Sequence, residues 1–101
     1  MIVSVIYQLM PGQTFDLDYY MKSHVPMVQS LMTPYGLKSV QVLHGIGSPA
    51  GAAPVKVIAL LDCESLEKSG AGMEKHGAAI LGDIAKFTDH QPVIQFNEKL
   101  A

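Results

Sequence analysis

The spacing of apolar and polar positions changes along the chain, and each change marks a predicted element. Residues 2–9 are rich in β-branched and aromatic side chains and end at a Met-Pro-Gly turn signal, which predicts a first strand. Between residues 17 and 31, apolar side chains recur at steps of three and four. This spacing predicts a first helix, for which either Thr14 or Asp16 can provide the N-cap.

Two further strand-like segments follow a Pro-Tyr-Gly sequence at 34–36 that ends the first helix. They cover residues 37–46 and 54–63, and small and turn-forming residues at 47–53 separate them. Such a loop is typical of a hairpin, so we expect these two strands to pair antiparallel.

Helical spacing returns over residues 64–84, but four glycines interrupt it. Each costs a helix roughly 1 kcal/mol relative to alanine, so a break is expected near Gly77 or Gly82. Alternation over residues 92–98 then predicts a closing strand. The complete order is β-α-β-β-α-β, in a single domain over residues 1–101.

This order predicts an α+β, ferredoxin-like fold: a four-stranded antiparallel sheet with two helices on one face, because both β-α-β crossovers are right-handed. The predicted strands are apolar at positions of both parities, as Val57 and Ala59 alternate with Ile58 and Leu60. A sheet buried on both faces has this pattern. We therefore expect a homodimer that covers the open sheet face.

The charge pattern narrows the expected partners. All seven basic residues are lysines, there is no arginine, and the net charge is −2. Nucleic acid is not expected as a partner, since its recognition relies heavily on arginine and on basic patches. Cys63 is the single cysteine, the chain begins with a strand-like segment, and no apolar segment is long enough to cross a bilayer. We expect a cytoplasmic protein without a membrane partner.

Four segments resemble one known family. They are Phe-Asp-Leu-Asp-Tyr-Tyr at 15–20, His-Val-Pro at 24–26, Tyr-Gly-Leu at 35–37, and Phe-Thr-x-x-Gln-Pro-Val-Ile-Gln at 87–95. Together they are similar to the EthD (ethyl tert-butyl ether degradation) family. The resemblance implies a dimeric α/β barrel, an architecture shared with cofactor-free monooxygenases, polyketide cyclases and muconolactone-type isomerases. It does not imply one reaction, because one fold carries many functions.

His24 is the leading candidate for chemistry. It lies seven residues from both Leu17 and Leu31, which places it on the core-facing side of the first helix. Histidine exchanges protons near neutral pH, so His24 can serve as a general acid or base. Pro26 removes a donor from the carbonyl of Lys22 and is expected to kink the helix beside a pocket. The alternative is a buried histidine that only fills space and makes one hydrogen bond.

Four other residues are candidates around His24. Tyr20 lies one helical turn before it and can orient the imidazole or bind a substrate oxygen, as a second catalytic residue. Three further residues are candidates for substrate binding: Val28 in the same apolar stripe, Tyr7 on strand one and His44 on strand two. The alternative for Tyr20 is an ordinary core tyrosine. The alternative for Tyr7 and His44 is that they are sheet residues whose polar tips already have hydrogen-bond partners.

No metal site or cofactor is expected, since no two histidines are four residues apart and no Gly-rich phosphate loop occurs. Cys63 is interpreted as a small apolar filler. His76 and Asp83 lie in or just after the second helix and are interpreted as solvent-facing or helix-end residues.

Three hypotheses follow. The first is a cofactor-independent enzyme (isomerase, cyclase, lyase or oxygenase) that acts on a small apolar or aromatic oxygenated compound, with His24 as proton carrier. The second is a non-catalytic protein that binds such a metabolite or supports a degradation pathway. The third is a structural or stress-related dimer. The enzyme is preferred, because a core-facing histidine beside a proline is more specific than the others require.

Overall fold

The computed structural model describes residues 1–101. Its elements are strand β1 (Ile2–Tyr7), helix α1 (Leu17–Tyr19), a π-helical segment (Tyr20–His24), helix α2 (Val25–Met32), a 3-10 turn (Thr33–Tyr35), strands β2 (Leu37–His44) and β3 (Val57–Cys63), helix α3 (Leu66–Gly82), a second 3-10 turn (Ile84–Lys86) and strand β4 (Val93–Asn97). The first three helical pieces are continuous, so they form one first helix. The predicted order β-α-β-β-α-β is confirmed.

The four strands form one antiparallel sheet in the order β2-β3-β1-β4. Val3 and Val5 of β1 pair with Leu61 and Ala59 of β3, and these side chains share the face that carries the helices. The α+β, ferredoxin-like fold expected from the sequence is therefore confirmed.

Local signals account for the helix boundaries. The Asp16 side chain accepts a hydrogen bond from the backbone N–H of Tyr19 at 3.0 Å, so Asp16 rather than Thr14 caps the first helix. Helix α3 continues through Gly77 without the break expected there and ends at Gly82. Gly77 is buried at the inner side of α3, where packing offsets its poor helix propensity.

The core between helices and sheet consists of two clusters. We call the first the aromatic end; its buried members are Tyr7, Tyr20, Val25, Val57, Ile84 and Phe87. We call the second the aliphatic end; its buried members are Val3, Met32, Leu37, Cys63 and Ile80. The two ends lie one after the other along the strands, since β3 begins with Val57 and ends with Cys63.

The opposite face of the sheet carries no helix. One apolar row crosses all four strands on this face, because Leu43, Ile58, Ile6 and Val93 are neighbours in the strand registers. Leu43 and Val93 are about half exposed, at 48% and 53%. The expected homodimer would cover this row, and it stays a prediction. Separately, none of the helices is both long enough and apolar enough to cross a lipid bilayer.

Candidate functional site

A cavity of about 310 Å³ lies between the helices and the sheet and runs from the aromatic to the aliphatic end. Of its 22 lining residues, 19 are hydrophobic. Its mouth lies beside the edge strand β4, because three lining side chains there are also exposed: Leu81, Ile94 and Phe96. A mostly apolar cavity with few polar groups is the usual form of a small-molecule site.

The π-helical segment Tyr20–His24 places the His24 side chain in the wall of this cavity. The backbone N–H of Val25 bonds to the carbonyl of Tyr20, five residues back instead of four. This wider turn lies directly before Pro26, whose ring would clash with a carbonyl in a regular α-helix. The sequence predicts a kink here, and the structure accommodates the proline with a π turn, a feature that is frequent at functional sites.

His24 is buried and bonded to a carboxylate. Its Nδ1 lies 2.9 Å from Oδ2 of Asp83, and only 6% of the residue is exposed. The other carboxylate oxygen, Oδ1, accepts a hydrogen bond from the Tyr19 hydroxyl at 2.7 Å. Tyr19 and His24 are five residues apart, which is the repeat of a π turn, so both side chains reach the same carboxylate.

Asp83 stays ionised in this position. Burial tends to raise its pKa, but hydrogen bonds from His24 and Tyr19, together with the charges of His24 and Lys86, lower the pKa below its ordinary value of 3.8. The Lys86 ammonium lies 3.6 Å from Oδ1. The pKa of the Tyr19 phenol is raised, first by its hydrogen bond to Asp83 and then by burial. Tyr19 is therefore a neutral donor to a carboxylate.

This bonding leaves Nε2 of His24 available. An ionised carboxylate only accepts hydrogen bonds, so Nδ1 is assigned the proton and Nε2 becomes the basic atom. No protein atom hydrogen-bonds to Nε2, and no fully buried side-chain nitrogen or oxygen lacks a partner. Because His24 lines the cavity, Nε2 faces the cavity space. The arrangement can accept a proton there while Asp83 stabilises the resulting imidazolium.

Two buried tyrosines line the cavity beside His24. The Tyr20 ring stacks on the imidazole, with centroids 5.6 Å apart and planes inclined by 18°. Tyr7 meets Tyr20 edge to face at 5.9 Å. Burial raises the pKa of Tyr20 to about 12, and burial together with Tyr20 raises the pKa of Tyr7. Both phenols are neutral donors. Tyr20 makes no hydrogen bond to the imidazole, which Asp83 orients instead.

The remaining predicted residues divide between the cavity and the surface. Val28 lines the cavity, as expected for a substrate-binding residue. His44 does not, so the expectation that it faces the same cleft is wrong. Its register position opposite Val57 is on the helix-bearing face, but it lies at the exposed end of the edge strand β2, where no helix covers it.

Asp83 is the residue that sequence reasoning missed. It was interpreted as solvent-facing or as a helix-end residue, but only 8% of it is exposed and it holds His24. A signal was present: Asp83 lies three residues after Ile80 and four before Phe87, on the spacing of the buried stripe. The fold contains no group of three or more His, Cys, Asp or Glu side chains that could hold a metal ion. The absence of a metal site stays a prediction.

The fold and cavity define a ferredoxin-like α+β protein with an apolar cavity between helices and sheet. The structure is similar to that of an EthD-like protein from Ralstonia eutropha JMP134, with a TM-score of 0.88 and 34% sequence identity over 96% of this chain and 88% of that one. The chain belongs to the EthD family.

A more distant similarity supports the fold alone. An EthD family protein from Bacillus halodurans C-125 aligns with a TM-score of 0.60 and 16% identity, over 97% of this chain and 100% of that one. No protein-family model and no curated protein matches the chain.

Proposed function

We propose that the protein is a cofactor-independent enzyme that transfers a proton on a small, largely apolar or aromatic oxygenated compound, as an isomerase, cyclase or lyase does. The observation that carries this proposal is the bond between His24 Nδ1 and Asp83, with Nε2 open to an apolar cavity. A histidine that only filled space would need neither an ionised partner nor free access from the cavity.

The proposed step follows from the placement of these groups. Nε2 of His24 removes a proton from a phenol, an enol or a carbon next to a carbonyl, and Asp83 stabilises the imidazolium. The Tyr20 hydroxyl, which has no protein acceptor, donates a hydrogen bond to the substrate oxygen that gains charge. Return of the proton to a different atom completes an isomerisation or a ring closure, so atoms and charge balance within the substrate.

The test uses proton exchange, since a substrate need not be known. A panel of alkylphenols, cyclic enolisable ketones and unsaturated lactones in D₂O is followed by NMR for exchange at acidic carbons. We expect the wild-type protein to accelerate exchange in at least one compound, and His24→Ala to remove about 100-fold or more of that acceleration.

A matched control and a second variant sharpen the test. His44→Ala removes an exposed histidine outside the cavity and should retain full exchange. Asp83→Asn should reduce exchange by at least about 10-fold, because an amide does not hold the same tautomer. Full exchange in His24→Ala would refute the role of His24.

A second function, non-catalytic binding of such a metabolite, is favoured by the almost wholly apolar lining of the cavity. The same experiment separates the two functions. Compounds that bind with micromolar affinity and depend on His24, but show no accelerated exchange, would identify a binding protein.

We also propose that the protein is a homodimer through its open sheet face. The apolar row of Leu43, Ile58, Ile6 and Val93 supports this, because such a row on a sheet is usually covered. Sedimentation at micromolar concentration should give twice the chain mass of 10.9 kDa, and Val93→Asp should shift the protein toward monomer. A monomeric wild-type protein would contradict the dimer.

A further inference from the structure

The distance between the two ends of the cavity is about the length of helix α2. His24 and Met32 bound α2 and are eight residues apart, which corresponds to about 12 Å along the helix axis. The lining residues of β3 extend from Ala59 to Cys63, and four strand steps correspond to about 13 Å. Two independent elements therefore give the same length for a ligand that fills the cavity.

A second polar group lies at the aliphatic end. Ser69 of α3 is only 6% exposed and lines the cavity. A serine inside a helix usually bonds back to the carbonyl four residues earlier, but that carbonyl, of Ser65, accepts only the backbone N–H of Ser69. The Ser69 hydroxyl has no oxygen or nitrogen partner in the protein. Since no fully buried side-chain oxygen lacks a partner, this hydroxyl faces the cavity space.

The Ser69 hydroxyl has a sulfur partner in the Cys63 thiol. Burial raises the pKa of this thiol, a hydrogen bond from Ser69 opposes that rise, and the thiol itself donates to the carbonyl of Leu61 at 3.7 Å. Sulfur is a weak acceptor, so this contact replaces a hydrogen bond to oxygen only in part. Met32 and Met73, which also line this end, offer no stronger partner. The Ser69 oxygen is thus free to accept a hydrogen bond, and its proton has only a sulfur partner, which an oxygen of a ligand can replace.

We infer that the ligand is elongated and has two polar ends, one oxygen at His24 and a second hydroxyl or carbonyl oxygen at Ser69, joined by an apolar alkyl or aryl span. This inference rests on the proposed use of the cavity as the substrate site and adds Ser69 as the residue that determines specificity. A ligand with a wholly apolar tail leaves the Ser69 hydroxyl unpaired and dry, and sites with a buried hydroxyl discriminate against such ligands.

The experiment compares two probes that differ in one group. In para-(hydroxybutyl)phenol the chain ends in a hydroxyl, and in para-pentylphenol a methyl group replaces it. Affinities are measured by titration calorimetry for the wild-type protein, Ser69→Ala and His24→Ala. We expect Ser69→Ala to weaken the hydroxyl-ended probe about 5-fold and leave the methyl-ended probe unchanged. His24→Ala should weaken both probes by the same factor, because both carry the phenol.

Each result has a distinct meaning. Equal affinities of Ser69→Ala and wild-type protein for the hydroxyl-ended probe would overturn the role of Ser69, even if exchange still depends on His24. Selective weakening by Ser69→Ala without any accelerated exchange would support the two-ended ligand and refute the enzyme. Failure of both probes to bind the wild-type protein would overturn both proposals. Ser69→Cys, which replaces the hydroxyl by a slightly larger and weakly hydrogen-bonding thiol, should behave like Ser69→Ala and excludes a loss of volume as the cause.

Discussion

The two ends of the cavity hold their side chains in different ways. At the aromatic end, Phe87 meets five other rings at centroid distances between 4.7 and 6.4 Å, and one of these is the imidazole of His24. At the aliphatic end, Met32, Met73 and Cys63 provide flexible or small side chains around the buried hydroxyl of Ser69. Ring contacts have preferred angles, whereas methionine adapts to the shape beside it.

The difference assigns different tasks to the two ends. Proton transfer needs atoms held to within a fraction of an ångström, and His24 is held by the rings of Tyr20 and Phe87 and by its hydrogen bond to Asp83. A variable tail needs a lining that can adjust. The proposed ligand would therefore react at the rigid end and extend into the adaptable end, and the following predictions test this contrast.

Truncation at the aromatic end should have the largest effect. Phe87→Ala should lower the free energy of unfolding by about 3–5 kcal/mol, because it removes the centre of the ring cluster. Met32→Ala, at an equally buried position of the aliphatic end, should cost about 2–3 kcal/mol, because neighbouring methionines can move into the space. Urea unfolding measures both. Equal losses would remove the distinction between the ends.

The second-largest loss of stability is expected from a substitution where helix α3 packs closely at the aliphatic end. A Cβ at Gly72 would lie 2.8 Å from the Cβ of Tyr35 and 2.7 Å from Cε of Met32, so Gly72→Ala should destabilise the protein by about 1–3 kcal/mol. Gly70→Ala is the matched control in the same helix, with nothing within 4 Å. It should stabilise by about 0.5–1 kcal/mol. Thermal unfolding that moves both variants in the same direction would contradict the close contact.

The contribution of the Asp83 carboxylate to stability should decrease at acidic pH. The pKa of Asp83 is lowered in the folded state, so its contribution is complete above its ordinary value of 3.8 and is lost as the pH falls through the lowered value. Asp83→Asn should cost about 1–2 kcal/mol at pH 7, and the difference should shrink below pH 3.8. Asp18→Asn, at the exposed partner of Lys22, should cost less than about 0.5 kcal/mol. A difference that persists at pH 2 would contradict the ion-pair assignment.

The smallest effect on the free energy of unfolding is expected at alkaline pH, from the ionisation of Tyr20. Burial raises the pKa of Tyr20 from 10.0 to about 12, so its stabilising contribution is complete below pH 10 and is lost as the pH rises toward 12. Between pH 7 and pH 10.5 the wild-type protein should lose roughly 1 kcal/mol more than Tyr20→Phe. Unfolding curves of the two proteins that shift in parallel with pH would show that Tyr20 does not ionise on unfolding.

Much of the fold follows from the sequence because periodicity and turn residues act locally. The strands, both helices and the inward position of His24 could all be predicted from residue spacing. The pairing of Asp83 with His24 could not, since the two residues are 59 positions apart in the chain and meet only through the packing of two helices. For His44, strand alternation predicts which face of the sheet the residue is on. Its exposure could not be predicted, because it depends on where the helices stop covering that face.

The wider π turn allows Tyr19 and His24 to share one carboxylate. The two residues are five positions apart, and in a regular α-helix such positions point about 140° away from each other. The π turn over Tyr20–His24 reduces this angle, so that the phenol and the imidazole both reach Asp83. Met21, Lys22 and Ser23 are exposed, so the extra residue of this turn displaces no core side chain. One additional residue in a single turn therefore separates two diverging side chains from a pair that holds one carboxylate.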